Sequence, residues 1–295
     1  MDEITVAERY VLSLLPQRLY DVVKKAMALY KGVVSEIRIR ADCPVFLTAN
    51  GKNVSCGIKA TYDEISKIVR VLCGNSMYSH SETIREGYIC VKGGVRAGIC
   101  GRAITEEGRI MTVTDISSVC IRIPHRVIGA ADNIINTFLR DKKGILIYSE
   151  PGVGKTTVLR EFSVTLSSAP YNMRVAVVDT RFEICGALGN GNCIDALCGY
   201  PRAKGIETAL RVLSPELIVC DEIGNIDDAE AIVLSAGAGI PVVASVHAGT
   251  NKELLKKTFM SELLNNNIFG YIVKLSVENG IRQLNLFNAE EIALC

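Results

Sequence analysis

Pro151-Gly152-Val153-Gly154-Lys155-Thr156-Thr157 combines residue types suited to holding phosphate. Ahead of it, Ile145 to Tyr148 are apolar or aromatic and predict a short buried strand; behind it, Lys155-Thr156-Thr157 opens an apolar-periodic stretch that predicts a helix. Glycines at such a strand-to-helix turn let successive backbone N–H groups point inward at a helix N-terminus, where phosphate oxygens are stabilised. Lys155 would reach the β- and γ-phosphates of ATP, and the Thr156 hydroxyl would hold Mg²⁺. Ser149 stands where such a loop begins with glycine; it is small, yet it lacks glycine's freedom at positive φ. Glu150 sets a carboxylate beside the expected triphosphate and is tolerable only if it points to solvent.

Three further stretches supply candidate catalytic groups. The apolar run Leu217-Ile-Val-Cys ends in Asp221-Glu222. Asp221 is expected to face the metal or its bound water, and Glu222 to orient and deprotonate the attacking water. Asp179-Thr-Arg-Phe-Glu183 adds two carboxylates and an arginine at another strand end, where a structural salt bridge and a catalytic role are both open. Ser245-Val-His247 follows a third strand, so that His247 could sense the γ-phosphate.

These groups need a scaffold that brings several strand ends together. Strands are predicted at Arg174 to Asp179, Leu217 to Glu222 and Pro241 to Val246, with helices at Gly205 to Leu213 and Asp227 to Ala236 between them. Such alternation predicts a parallel sheet covered on both faces, with ligands at the carboxyl ends of its strands. A helix from Lys252 to Leu264 and a hairpin, Tyr271 to Val277 with Gly280 to Phe287, complete this half. The preceding half reads as two helices broken at Pro16 and strands near Val33 to Arg40 and Pro44 to Thr48 with a turn at Asn50-Gly51. A helix capped at Thr61 with Glu64 three residues on, a short helix from Ser81, two strands joined at Gly93-Gly94, and a strand from Val119 to Ile123 follow. That mixture is α+β. The helix Ala130 to Leu139 then joins the halves, so the domains are expected at 1–125 and 126–295.

Composition narrows the classes further. A chain of 295 residues, 48% apolar and 22% charged, is ordinary globular protein with room for two domains. Its 33 basic against 32 acidic residues give no bulk attraction to nucleic acid or lipid. Eleven cysteines without a Cys-x-x-Cys pair, and three distant histidines, argue against a zinc site and fit small core thiols in a reducing cytosol. The acidic N-terminus is unlike a signal peptide, and the longest apolar region, Ala231 to Ala248, is broken by Pro241 and His247. A cytoplasmic chain that meets a membrane only through partners is expected. The first half also gathers Arg38, Arg40, Arg96, Arg102, Arg122 and Arg126, either solvated strand faces or arginines that reach a triphosphate in a neighbouring subunit.

The motif order resembles the hexameric ATPases of type II and type IV secretion and pilus assembly, and more narrowly the stage III sporulation protein AA family. The narrower resemblance rests on Ser35-Glu-Ile-Arg-Ile-Arg40, Val95-Arg-Ala-Gly-Ile-Cys-Gly101, Ile121-Arg-Ile, Pro151 to Arg160, Val178-Asp-Thr-Arg-Phe-Glu-Ile184, Ser214-Pro-Glu216, Asp221-Glu-Ile-Gly224 and Asp228-Ala-Glu-Ala231. It spans residues 8 to 290 or so and implies an α/β, RecA-like P-loop core behind a smaller α+β domain. It also implies a hexamer, ATP and Mg²⁺, and as partners the small sporulation membrane proteins of the mother cell–forespore channel. Asp179 and Glu183 match the family's acidic box and His247 its histidine box. Thr180 departs from the usual Glu of sporulation relatives, Ser149 from their Gly, and Gly224-Asn225 from the Arg-Asp of secretion ATPases. The water-activating carboxylate stays open between Glu222 and the acidic box. Alternatives are a nucleotide-binding switch with little turnover and a pilus or type II secretion motor. A nucleic-acid translocase ranks below both, because no Arg and His four apart follow His247.

Overall fold

A computed structural model describes residues 6–30, 32–91, 95–123, 127, 129–185, 188, 193–278 and 281–293. The chain divides into two compact units, Met1–His125 and Arg126–Cys295. The expected turn at Gly93-Gly94, and Arg126 and Gly280, lie outside the described residues.

In the first unit, helices α1 (Val6–Ser13) and α2 (Gln17–Ala28) are separated at Pro16, which has no N–H to continue a helix. Six strands follow around two more helices: β1 (Val34–Arg40), β2 (Pro44–Ala49), β3 (Lys52–Lys59), α3 (Tyr62–Leu72), α4 (Ser81–Arg85), β4 (Tyr88–Cys90), β5 (Arg96–Glu106) and β6 (Arg109–Arg122). They form one antiparallel sheet in the order β3-β2-β1-β6-β5-β4. Asn50 and Gly51 both take positive φ (49° and 74°), the turn that suits the twist of a tight hairpin. Alternate residues face the core: Ile37, Ile39, Leu47, Ala97 and Ile121 pack with Leu19, Val23, Ile65 and Ile68 of the helices. The intervening positions carry the arginines. Arg38 and Arg122 pair with Glu36, Arg102 pairs with Asp115, and Arg96 lies 3.9 Å over the Tyr88 ring.

The β5–β6 hairpin is longer than the sequence suggests. The strands pair through Glu107 and Gly108, at φ 48° and 77°, where the sequence marks no strand after Ala103 or before Val119. Residues 100–112 are exposed, so no apolar alternation marks this arm.

Thr61 and Glu64 form the expected capping box at the start of α3. Glu64 also takes two hydrogen bonds from Arg18 of α2, at 2.9 and 2.6 Å. The guanidinium, together with the Thr61 N–H, holds the Glu64 carboxyl below its ordinary 4.5 despite partial burial. Its contribution to stability is therefore present above the unfolded value and lost as pH falls through the lower folded one. Glu64→Gln is expected to cost about 1–2 kcal/mol in urea unfolding at pH 7, and the gap should narrow by pH 3. An unchanged gap at pH 3 would mean the carboxylate charge contributes nothing.

The second unit holds β7 (Gly144–Ser149), β8 (Val175–Asp179), β9 (Ile194–Cys198), β10 (Leu217–Glu222), β11 (Val242–His247), β12 (Phe269–Glu278) and β13 (Ile281–Asn288). Their order is β13-β12-β7-β11-β10-β8-β9, parallel throughout except for the β12–β13 hairpin. The central strands are continuous apolar runs because both faces are covered. Ile145, Ile147, Val177 and Val219 face α5 (Asp132–Asp141) and α6 (Lys155–Ser167), where Phe138 and Phe162 meet edge to face. Leu146, Val178, Ile218 and Ala244 face α7 (Arg202–Val212), α8 (Ile226–Gly237), α9 (Asn251–Leu255) and α10 (Met260–Asn265). A short α11 (Ala289–Ala293) ends the described fold.

Two expectations are corrected, and one strand had not been expected. The single helix Lys252 to Leu264 is two, because Leu254 and Phe259 are both buried and a continuous helix would set them about 140° apart. The edge strand β9 carries no periodic signal and is partly exposed. The cysteines are mostly not core residues: of the described free thiols only Cys73 and Cys220 are buried, while Cys185 and Cys198 are paired as a disulfide. Among the described residues no helix is long and apolar enough to cross a membrane.

Candidate functional site

Parallel strands end at one edge, and four of these ends carry Ser149, Asp179, Glu222 and His247. Ser149 lies directly opposite His247 in the β7–β11 ladder. It is absent from the positive-φ residues, so the glycine-like conformation that made serine questionable is not required of it. Pro151 and Gly152 turn the exposed chain, and Val153 packs against the apolar core below. Gly154, at φ 110°, starts α6, with Thr156 and Thr157 half-buried in its first turn. Glu150 is exposed, as the loop demands.

Lys155 folds back across this loop. Its Nζ donates to the Ser149 carbonyl (3.0 Å), the Ser149 hydroxyl (3.1 Å) and the Glu150 carbonyl (3.3 Å), and lies 2.7 Å from His247 Nδ1. Burial pushes its ammonium down to about 8, against the opposing pull of Glu222 and Glu183. Three N–H groups serve these four acceptors, so one contact is shared; where Nδ1 accepts from the ammonium, the neutral His247 ring carries its proton on Nε2, which faces Glu222 Oε2 at 3.2 Å. The same oxygen receives Arg181 Nη1 at 3.1 Å. Lys155, His247, Glu222 and Arg181 thus form one connected row.

Glu183 joins from the loop after β8, its carboxylate accepting the Thr156 hydroxyl at 3.1 Å. Asp179, fully buried, makes no salt bridge among the described residues. It accepts the backbone N–H groups of Glu183, Ile184 and Cys185 at 2.7–2.9 Å and so fixes the loop that presents Glu183. Arg160 of α6 adds a hydrogen bond to the Glu183 carbonyl.

Asp221, expected at the metal, is engaged by protein donors. The β10–β11 register slips between Cys220 and Glu222, a bulge that sets Glu222 opposite Ser245 and re-aims its neighbour. Asp221 instead takes two hydrogen bonds from Arg202 of α7, at 2.9 and 2.6 Å, and one from the Thr180 N–H at 3.2 Å. Arg202 also grips Asp228 of α8 at 2.6 Å. Burial pushes the Asp221 carboxyl up to about 6 although Arg202 pulls the other way.

Sequence reasoning placed Arg181 at the acidic box without a partner, and passed over Arg202 and Arg282. Two buried carboxylates next to helix starts were a signal that a cation must reach them. Arg282 had none: from β13 its Nε donates to the Val153 carbonyl at 3.2 Å, and its guanidinium occupies the space a Cβ on residue 154 would need. Position 154 is thus glycine for its backbone conformation, since the movable end of the exposed Arg282 side chain can make room.

Among the described residues no three His, Cys, Asp or Glu side chains cluster to make a metal cage. The Thr156 hydroxyl and Glu183 carboxylate are hard oxygen donors, the kind that suits Mg²⁺ shared with phosphates.

The chain matches the family model described as sporulation stage III, protein AA, over residues 7–290. Stage III sporulation protein AA of Bacillus subtilis (strain 168) is 33% identical over 257 residues, covering 84% of each chain. Among solved structures, the ATPase DotB of Legionella pneumophila superposes with a TM-score of 0.64 at 16% identity, over 95% of this chain and 83% of that one. The pilus retraction motor PilT, solved with bound ADP, gives 0.64 at 15% identity, over 92% and 84%. At these identities the structural likeness is one of fold.

Proposed function

This chain belongs to the sporulation stage III protein AA family, and from that premise we propose that it is a Mg²⁺-dependent ATPase that serves sporulation. The observation that carries the reading is the convergence of Lys155 and Thr156, at the start of α6, with Glu183, Glu222 and His247 from three other chain segments. The backbone N–H groups of residues 152–157 and the Lys155 ammonium would receive the phosphates of ATP. Thr156 and Glu183 would hold Mg²⁺, which supplies neutralisation of the β- and γ-oxygens. Glu222, held by His247, would take the proton of the attacking water as its oxygen bonds to the γ-phosphorus and the β–γ bridge breaks. Asp179 acts one step removed, by fixing the loop of Glu183.

Shared fold with DotB and PilT supports the further reading that the protein works as a ring, a hexamer in our proposal. It would energise a secretion-like channel built from small sporulation membrane proteins between mother cell and forespore. We infer cytoplasmic residence, with membrane contact only through those partners and no nucleic-acid substrate. A nucleotide switch with little turnover is the second reading, because the Glu222 Oε2 is already taken up by Arg181 and His247 and does not face a water.

Steady-state ATP hydrolysis across a protein concentration series separates these. Specific activity that rises with concentration, and is lost in Lys155→Ala, is expected for an inter-subunit ATPase. Tight ATP binding without turnover at any concentration would leave the switch.

A further inference from the structure

Arg181 is the one member of the connected row whose side chain is mostly in solvent, at 61% exposure. Its Nη1 reaches Glu222, and its remaining N–H groups have no hydrogen-bond partner among the described residues. From that carboxylate the row runs back through His247 to Lys155, the residue at the phosphate loop. Three donors, Arg181, the His247 Nε2–H and the Lys155 ammonium, thus surround a single carboxylate and an imidazole. With Glu183 also acting on Lys155 the cluster is near neutral, and what it offers a ligand is the unused donors of the exposed Arg181. An exposed ion pair is also cheap to break, whereas a guanidinium matches a phosphate with two parallel hydrogen bonds.

We propose that Arg181 reads the terminal phosphate of the nucleotide held by its own chain, an assignment that rests on the ATP-binding reading. When a triphosphate occupies the loop, Arg181 exchanges Glu222 for the γ-phosphate oxygens. This exchange does two things at once. It sets a positive charge where negative charge accumulates as the β–γ bond breaks, and it vacates the Glu222 oxygen that Arg181 had occupied, leaving that oxygen to face water. With a diphosphate the exchange partner is missing and Arg181 stays on Glu222, so the base is restrained whenever no substrate is present. The arginine is supplied in cis, from the acidic box.

The test uses the full chain with Mg²⁺, comparing Arg181→Ala and Arg181→Lys with the native protein in calorimetric titrations of ADP and the slowly hydrolysed analogue ATPγS. Arg181→Ala should bind ADP within about twofold of the native chain, lose about tenfold or more in ATPγS affinity, and turn over ATP about 100-fold more slowly. Arg181→Lys, a point charge without the planar fork, should recover part of the affinity and less of the turnover. Equal weakening of both nucleotides, or no change in either, would overturn the assignment. So would turnover in Arg181→Ala at or above the native rate, which would make the pair with Glu222 a simple brake. If the native chain bound neither nucleotide, the ATP reading itself would fall and the assignment with it.

Discussion

Glu222→Gln is expected to bind ATP within about twofold of the native chain and to hydrolyse it about 100-fold or more slowly, the range a positioned general base supplies. Glutamine keeps the shape of the side chain and an oxygen that can accept from Arg181 and His247, at 3.1 and 3.2 Å in the native site. It cannot take a proton from water. The loss should therefore fall on kcat and leave the affinity of the loop, which is set by Lys155 and backbone N–H groups. Glu183→Gln is the informative contrast, because that carboxylate sits 3.1 Å from the Thr156 hydroxyl and makes no hydrogen bond to His247 among the described residues. Its expected defect is a higher Mg²⁺ requirement, with most of the rate restored at saturating Mg²⁺. Single-turnover rates against Mg²⁺ concentration decide the matter. A Glu183→Gln chain that stays inactive at saturating Mg²⁺, beside an active Glu222→Gln, would move the base to the acidic box.

The features legible in the sequence share a physical cause. β7, β8, β10 and β11 are buried on both faces, so each is a largely apolar run, and each ends where a polar side chain can reach the ligand edge. The phosphate loop announced itself through Gly154-Lys155-Thr156, and α3 through a capping box that needs only neighbours in sequence. What stayed hidden depends on partners far along the chain. Nothing in Leu217 to Glu222 marks the bulge that parts Asp221 from Glu222, since strict alternation would also have separated them, only with other partners. Nor does Arg202 signal that it will reach two carboxylates on different elements. The doubt over Ser149 came from a real difference between serine and glycine, but the strand runs through residue 149 without the left-handed turn that would have made it matter. The β5–β6 arm was missed for the opposite reason: a hairpin exposed on all sides has no core-facing stripe to betray it.

Arg202→Met is expected to destabilise the second unit by about 3–5 kcal/mol, the cost of leaving buried charges without their partner. The side chains of Arg202, Asp221 and Asp228 are only 10%, 8% and 4% exposed, and one guanidinium serves both carboxylates. The defect should also depend on pH. Burial already lifts the Asp221 carboxyl to about 6 with Arg202 in place, so without it the native state gains more by binding a proton. A carboxyl raised in the fold above its unfolded 3.8 makes the native state bind more protons than the unfolded one, and stability then falls as pH rises through that window. Urea unfolding of Arg202→Met should accordingly show a deficit that is largest near pH 8 and shrinks toward pH 5.5. Adding Asp221→Asn and Asp228→Asn should return most of the loss by removing the stranded charges. A pH-independent deficit that these substitutions do not relieve would mean that Arg202 acts by packing alone. Asp221→Asn by itself then separates the two roles open to that residue. As an anchor for Arg202 it should lower stability without changing the Mg²⁺ requirement of turnover; as a metal partner it should raise that requirement and leave stability near the native value.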